Sequence, residues 1–155
     1  MKIFSYLILL MIFTYGCGFK VIKRSNFDNL YIAKVEATGD RKISFNVKNK
    51  LNLVEKDEKK KGIILSINTI KNKSVKEKNS KNEITKYLIS INSSVEIKDN
   101  SKTLKVLNLK EEIDYNVGSQ HSQTISNENK AVKAIAESLV KKIIKEISLV
   151  KFNDL

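Results

Sequence analysis

The chain has 155 residues, with 29 Lys plus Arg against 17 Asp plus Glu, one His, one Cys, five Gly and no Pro or Trp. That is one domain's length, and 41% apolar with 30% charged residues excludes a collagen-like or wholly disordered chain. A lone Cys excludes an intramolecular disulfide framework, one His and one Cys argue against a His/Cys metal cluster or a Cys-His catalytic pair, and a net charge of +12 points to an anionic partner without naming it.

Residues 1–16 are expected to be a signal peptide outside the fold. Lys2 supplies a positive charge, and Ile3 to Phe13 is an apolar run interrupted only by Ser5, far short of the roughly 20 residues that span a hydrocarbon core. The run ends at Thr14-Tyr15-Gly16-Cys17. A small residue directly before the only Cys is what bacterial lipoprotein processing requires, although Thr14 stands where the lipobox usually has Leu. Cys17 is therefore the expected lipidation site, where a thioether-linked diacylglycerol and an acylated amine supply the two or more chains that stable anchoring needs.

From Cys17 to Asn29 the sequence is a short, mixed linker. Leu30 to Glu36 nearly alternates and predicts a first strand, broken at Thr38-Gly39-Asp40. Ile43, Val47, Leu51 and Val54 then recur at helical spacing behind Asp40 as a candidate N-cap, although β-branched residues and Asn46, Asn49 and Asn52 weaken that helix. Lys56 to Lys61 has no apolar residue and predicts a solvated loop. Gly62 opens a strand over Ile63–Ile70 with Ile63, Leu65 and Ile67 on one face.

Asn72 to Glu83 is turn-like and basic, and Ile84–Ile97 carries Tyr87, Ile89, Ile91, Val95 and Ile97 in two-residue register, so a long hairpin is expected. Lys98 to Lys102 is a second turn signal, and Thr103–Val117 supplies a last strand with Leu107, Leu109, Ile113 and Tyr115 on one face. Gly118 to Glu128 is expected to be a polar connector, with Ser126 or Asn127 capping a closing helix. That helix carries Ala131, Val132, Ile135, Ala136, Leu139, Val140, Ile143, Ile144 and Ile147 on one broad stripe, opposite Lys133, Glu137, Lys141 and Lys145. The expected fold class is α+β: a two-layer sandwich of about four strands, largely antiparallel or mixed, packed by two helices. The domain runs over 30–150 with a tail at 151–155.

No phosphate-binding loop, nucleophile elbow or paired-carboxylate motif is present, so no catalytic residue, cofactor or metal is expected and the chain is not read as an enzyme. His121 is read as a solvated loop residue, Glu111, Glu112 and Asp114 as a strand's solvent face, and Tyr87 and Tyr115 as core or sheet-rim aromatics. The chemistry-bearing feature is basic. Lys71, Lys73, Lys76, Lys78 and Lys81 crowd the expected hairpin tip, and Lys56, Lys59, Lys60 and Lys61 the loop before it. They form either a plain solvated surface or a site for anionic lipid headgroups. Nucleic acid is disfavoured because an exported chain seldom meets it and no aromatics interleave with the lysines.

Cys17-Gly18-Phe19-Lys20, Thr85-Lys86-Tyr87-Leu88-Ile89 and the helix Ala131 to Ile147 resemble, in order and spacing, the LPS-assembly lipoprotein LptE family. The resemblance implies a lipid-anchored, periplasm-facing outer-membrane protein that plugs an LptD-like β-barrel, helps it assemble and contacts lipopolysaccharide during transfer to the outer leaflet. Lys71, Lys73, Lys76 and Lys78 would then be the lipopolysaccharide-binding residues. The alternative of a different class is a lipoprotein adaptor or pilotin-like chaperone that binds no lipopolysaccharide.

Overall fold

The computed structural model describes residues 30–54, 59–99 and 102–149. The expected signal peptide at 1–16, Cys17, the 17–29 linker and the 151–155 tail lie outside the described residues. The elements run β1 (Leu30–Gly39), α1 (Arg41–Asn52), β2 (Lys61–Lys78), β3 (Ile84–Asp99), β4 (Lys102–Asn116) and α2 (His121–Ser148). The strands form one sheet in the order β1-β2-β3-β4, with β1 parallel to β2 and the other two neighbours antiparallel. Both helices lie against the same face, so the expected α+β two-layer architecture is the observed one.

In β1 the inward set is Leu30, Ile32 and Val35, which is not a strict alternation. The reason is an extra residue: Ile32 pairs with Ile63 but Lys34 pairs with Ile64, so Ala33 is bulged and the strand changes phase. The strand ends at Gly39, whose φ of +93° belongs to the left-handed region. A Cβ there would sit 1.9 Å from the Thr69 carbonyl oxygen of β2. Asp40 follows and donates its backbone N–H to that same oxygen at 2.9 Å. Its carboxylate accepts from the N–H groups of Lys42 and Ile43 at 3.1 and 3.0 Å, the expected N-cap. Ile43, Val47 and Leu51 are then fully buried, which offsets the weak helix formers on the outer side.

Two elements are longer than their composition suggests. β2 does not stop before Asn72 but continues to Lys78, because Lys73, Ser74 and Val75 pair with Ile89, Leu88 and Tyr87 of β3. What read as turn chemistry at Asn72 and Ser74 is the uncovered side of the sheet, where polar side chains are at home. The turn itself is confined to residues 79–83. There the Asn79 side chain accepts from the N–H groups of Lys81 and Glu83, and Asn82 takes the left-handed conformation at φ 62°.

Helix α2 likewise begins at His121, not after a cap at Ser126 or Asn127, and spans 28 residues. Its N-cap is Gln120 without a side-chain bond, while Thr124 and Gln123 accept from the N–H groups of Gly118 and Ser119 just before it. The polar stretch 121–130 is helical because it has tertiary partners: Asn127 donates to the Asn116 carbonyl at 2.9 Å and Glu128 reaches into the sheet. His121 therefore starts a helix, exposed, and does not lie in a loop.

The core is continuous between the sheet and the helices. It joins Ile63, Leu65 and Ile67, then Ile89, Ile91, Val95 and Ile97, then Leu139, Ile143 and Ile147. Leu107 and Tyr115 of β4 are buried, and Leu109 and Ile113 pack against the core from the edge. Glu111, read as solvent-facing, is on the helix side instead. Ser138 donates to it at 2.9 Å and Lys142 forms an ion pair with it, so an inward carboxylate on an edge strand is satisfied by α2. The opposite sheet face carries Ser66, Asn68, Asn92, Ser94 and Asn108, with Ile70 and Val106 more than half exposed. No described element covers it.

Candidate functional site

The four lysines singled out in the sequence lie on β2, but alternation sends them to opposite faces. Lys71 and Lys73 share the phase of Leu65, Ile67 and Thr69 and so point to the helix side; Lys76 and Lys78 point the other way or lie past a register shift at 75–78. The structure therefore divides them.

On the helix side Lys71 Nζ lies 2.8 Å from Glu128 Oε1 and Lys73 Nζ lies 2.8 Å from Glu128 Oε2. The Tyr115 hydroxyl donates to Oε2 as well, at 2.8 Å. Tyr115 sits directly across from Tyr87 in the β3–β4 register, and their rings stack with centroids 5.7 Å apart. Lys73 Nζ is 4.3 Å from the Tyr87 ring centre and 5.4 Å from that of Tyr115, so its charge is also held by aromatic faces. The Lys71 side chain is only 15% exposed.

The electrostatics follow from that packing. Hydrogen bonds from Lys71 and then Lys73 hold the Glu128 carboxyl down at about 2, against the opposing effect of burial. Burial lowers the affinity of Lys73 for its proton, but its bonds to Glu128 and Tyr115 outweigh this and raise its pKa. Burial raises that of the Tyr115 hydroxyl. This is a charge knot that fastens the first third of α2 to the sheet.

On the uncovered side, Lys76 meets Asp114 at 3.1 Å and Lys78 donates to the Asn82 side chain at 2.9 Å. Lys76 keeps Asp114 below the usual carboxylate range. Four ammonium groups thus face two carboxylates: Lys71 and Lys73 share Glu128, Lys76 pairs with Asp114, and Lys78, bonded to an amide oxygen, and the turn residue Lys81 are exposed cations beside them. A shallow trough of about 200 Å³ lies farther along the same face, lined by Asn68, Ile70, Asn92, Ser94, Asn108 and Lys110. Its lining offers amide and hydroxyl groups but no nucleophile with a base beside it.

Among the described residues no group of three or more His, Cys, Asp and Glu side chains is placed to hold a metal ion. No described helix is long and apolar enough to cross a membrane. Sequence reasoning missed Glu128 as a partner of the lysines. The signal was present: Glu128 stands three, four and seven positions before Ala131, Val132 and Ile135, on the helix's inward stripe, and Lys71 and Lys73 continue the inward parity of β2.

No protein-family model matches the chain, and no curated protein does. Solved structures do match in fold. A 2.35 Å crystal structure of a minor lipoprotein from Acinetobacter baumannii superposes with a TM-score of 0.54 at 15% identity, covering 77% of this chain and 92% of that one. The solution NMR structure of an uncharacterized lipoprotein B from Nitrosomonas europaea gives 0.51 at 14% identity, covering 81% of this chain and 88% of that one. The sheet order and its two helices are thus a fold that bacterial lipoproteins use.

Proposed function

We propose that the chain is a non-enzymatic outer-membrane lipoprotein, anchored through acyl groups on Cys17 and facing the periplasm. In this reading it occupies an LptD-like β-barrel, helps that barrel assemble and assists lipopolysaccharide transfer to the outer leaflet. The observation that carries the reading is the fold, shared over most of their length with two bacterial lipoproteins, on a chain whose only Cys follows a short apolar run. The uncovered Asn- and Ser-rich sheet face supports it further, because a barrel lumen is polar and wet. Lys76 and Lys78, which lie exposed away from the helices, suit lipid phosphates better than Lys71 and Lys73, which pack between the sheet and Glu128 of α2.

That pairing is also what favours the second reading, an adaptor or pilotin-like lipoprotein with no lipopolysaccharide affinity. One experiment separates them: gentle detergent extraction of the tagged full-length protein from its envelope, followed by native mass spectrometry. A one-to-one complex with a large β-barrel and acyl mass on Cys17 is the expected result. An acylated protein released alone or with a soluble client replaces the plug with the adaptor.

A further inference from the structure

Several chain ends meet at one end of the domain. β1 begins there at Leu30, opposite Lys61 at the start of β2, and Lys61 reaches Asp99 at the end of β3 at 2.7 Å. Helix α2 finishes nearby, since Glu146 in its last turn holds Lys105 of β4 at 2.8 Å. Helix α1 runs back toward the same end, as it must to connect two parallel strands.

The residues that close the two helices are exposed leucines: Leu53 past α1 is 69% exposed and Leu149 past α2 is 58% exposed. Either alone would be ordinary. Around them Lys102, at the first position of β4, and Lys145, in the last turn of α2, are exposed. Among the described residues the carboxylates of this end are engaged, Glu96 with Lys98, Asp99 with Lys61 and Glu146 with Lys105, which leaves the ammonium groups of Lys102 and Lys145 facing outward.

Chain length identifies the occupant. Between Cys17 and Leu30 lie only residues 18–29, which can span at most about 45 Å. An acyl group on Cys17 therefore limits this end of the domain to within about 45 Å of the bilayer, while β2 carries the hairpin turn about 55–60 Å beyond it at about 3.3 Å per residue.

We infer that this end is a membrane-contacting surface for an anionic phospholipid leaflet; the inference rests on the lipid-anchor part of the proposed function and describes the anchored chain outside a barrel. Leu53 and Leu149 enter the headgroup boundary, and Lys102 and Lys145 face the phosphates. The acyl chains supply attachment, and the surface supplies orientation, holding the hairpin upright and away from the lipid.

The absence of Trp from the sequence makes the test clean. Acylated full-length mature protein carrying Leu149→Trp, and separately Val75→Trp at the hairpin end, is reconstituted into phosphatidylcholine–phosphatidylglycerol vesicles with brominated acyl chains. The inference expects at least twofold quenching for Leu149→Trp, none for Val75→Trp, and loss of the quenching at high salt or with Lys102→Glu plus Lys145→Glu. Equal quenching at both reporters, or none at Leu149→Trp, overturns it. The intact mass of the same sample keeps the two ideas apart: an acylated chain with a silent Leu149→Trp reporter removes the orientation alone, whereas a chain without acyl mass removes the lipoprotein reading and the orientation with it.

Discussion

Glu128 and Lys71 stand 57 positions apart in the chain and 2.8 Å apart in space, carboxylate to ammonium. Lys73 and Tyr115 complete the shell around the same carboxylate, so one side chain of α2 fastens strands β2 and β4 at once. The consequence is structural before it is functional, since the lysines nearest the helix are held as counter-ions.

Replacing Glu128 with Gln leaves two partly buried ammonium groups facing each other without a carboxylate. The expected loss is about 1–3 kcal/mol, below the range for a fully buried pair because solvent still reaches the site. Urea denaturation reads it directly. A variant with an unchanged midpoint would show that water replaces the carboxylate at no cost.

The same group sets an acid dependence. Its carboxyl titrates at about 2 in the folded protein against an ordinary value of 4.5. A lowered folded value stabilises the protein fully above pH 4.5, and that contribution disappears as pH falls toward 2. The Lys34, Lys110, Lys76 and Lys105 partners lower Glu36, Glu112, Asp114 and Glu146 in the same direction. Denaturation midpoints measured across that window should fall for the parent and fall less steeply for Glu128→Gln.

Gly39→Ala should be among the most harmful single changes. The φ of +93° strains any side chain, and the new methyl would collide with the Thr69 carbonyl that also receives the Asp40 N–H. The expected cost is about 1–3 kcal/mol for the backbone conformation alone, with the collision in addition. Asp40→Ala, which loses only the cap, should cost about 1 kcal/mol. Parallel melts of the two variants would fail this account if Asp40→Ala proved the worse.

Ser93 is 3% exposed on the helix side of β3, and its hydroxyl has no hydrogen-bond partner among the described residues. Ser93→Ala should therefore be neutral or stabilising by up to about 1 kcal/mol, since it removes an unsatisfied polar group without opening a large void. A clear drop in the melting temperature would reveal a partner for that hydroxyl.

The lysine pairs make separable predictions for ligand binding. Lys76→Ser with Lys78→Ser should weaken lipopolysaccharide affinity and flatten its salt dependence while leaving stability within about 0.5 kcal/mol. Lys71→Ser with Lys73→Ser should lower stability and leave the salt slope largely unchanged. Titrations at two ionic strengths decide: equal affinity in the first double variant would remove these residues from any anion site.

Much of the architecture was legible because periodicity reports burial. Ile43, Val47 and Leu51 announced α1, and Tyr87 to Ile97 announced β3, each through spacing that the buried face enforces. The errors fell where polar residues carry the structure. Asn72 and Ser74 looked like a turn because both faces of β2 are polar there, and Gly118 to Glu128 looked like a connector because its stabilising partners lie on β2 and β4. Glu111 shares the parity of Leu107, Leu109, Ile113 and Tyr115 and so lies inward by alternation; it read as solvent-facing because of its charge, since nothing in β4 foretells Ser138 and Lys142 above it.

The amino-acid sequence by itself determined the order and type of the six elements, their inward apolar residues, the Asp40 cap and the expectation of a lipidated Cys17, since each follows from local spacing and local chemistry. Only the tertiary structure decided that β1 runs parallel to β2, where β2 and α2 end, and which lysines Glu128 neutralises. Those outcomes depend on groups far apart in the chain meeting at distances near 3 Å. Charge content is a property of composition, but the partner of a charge is a property of the fold.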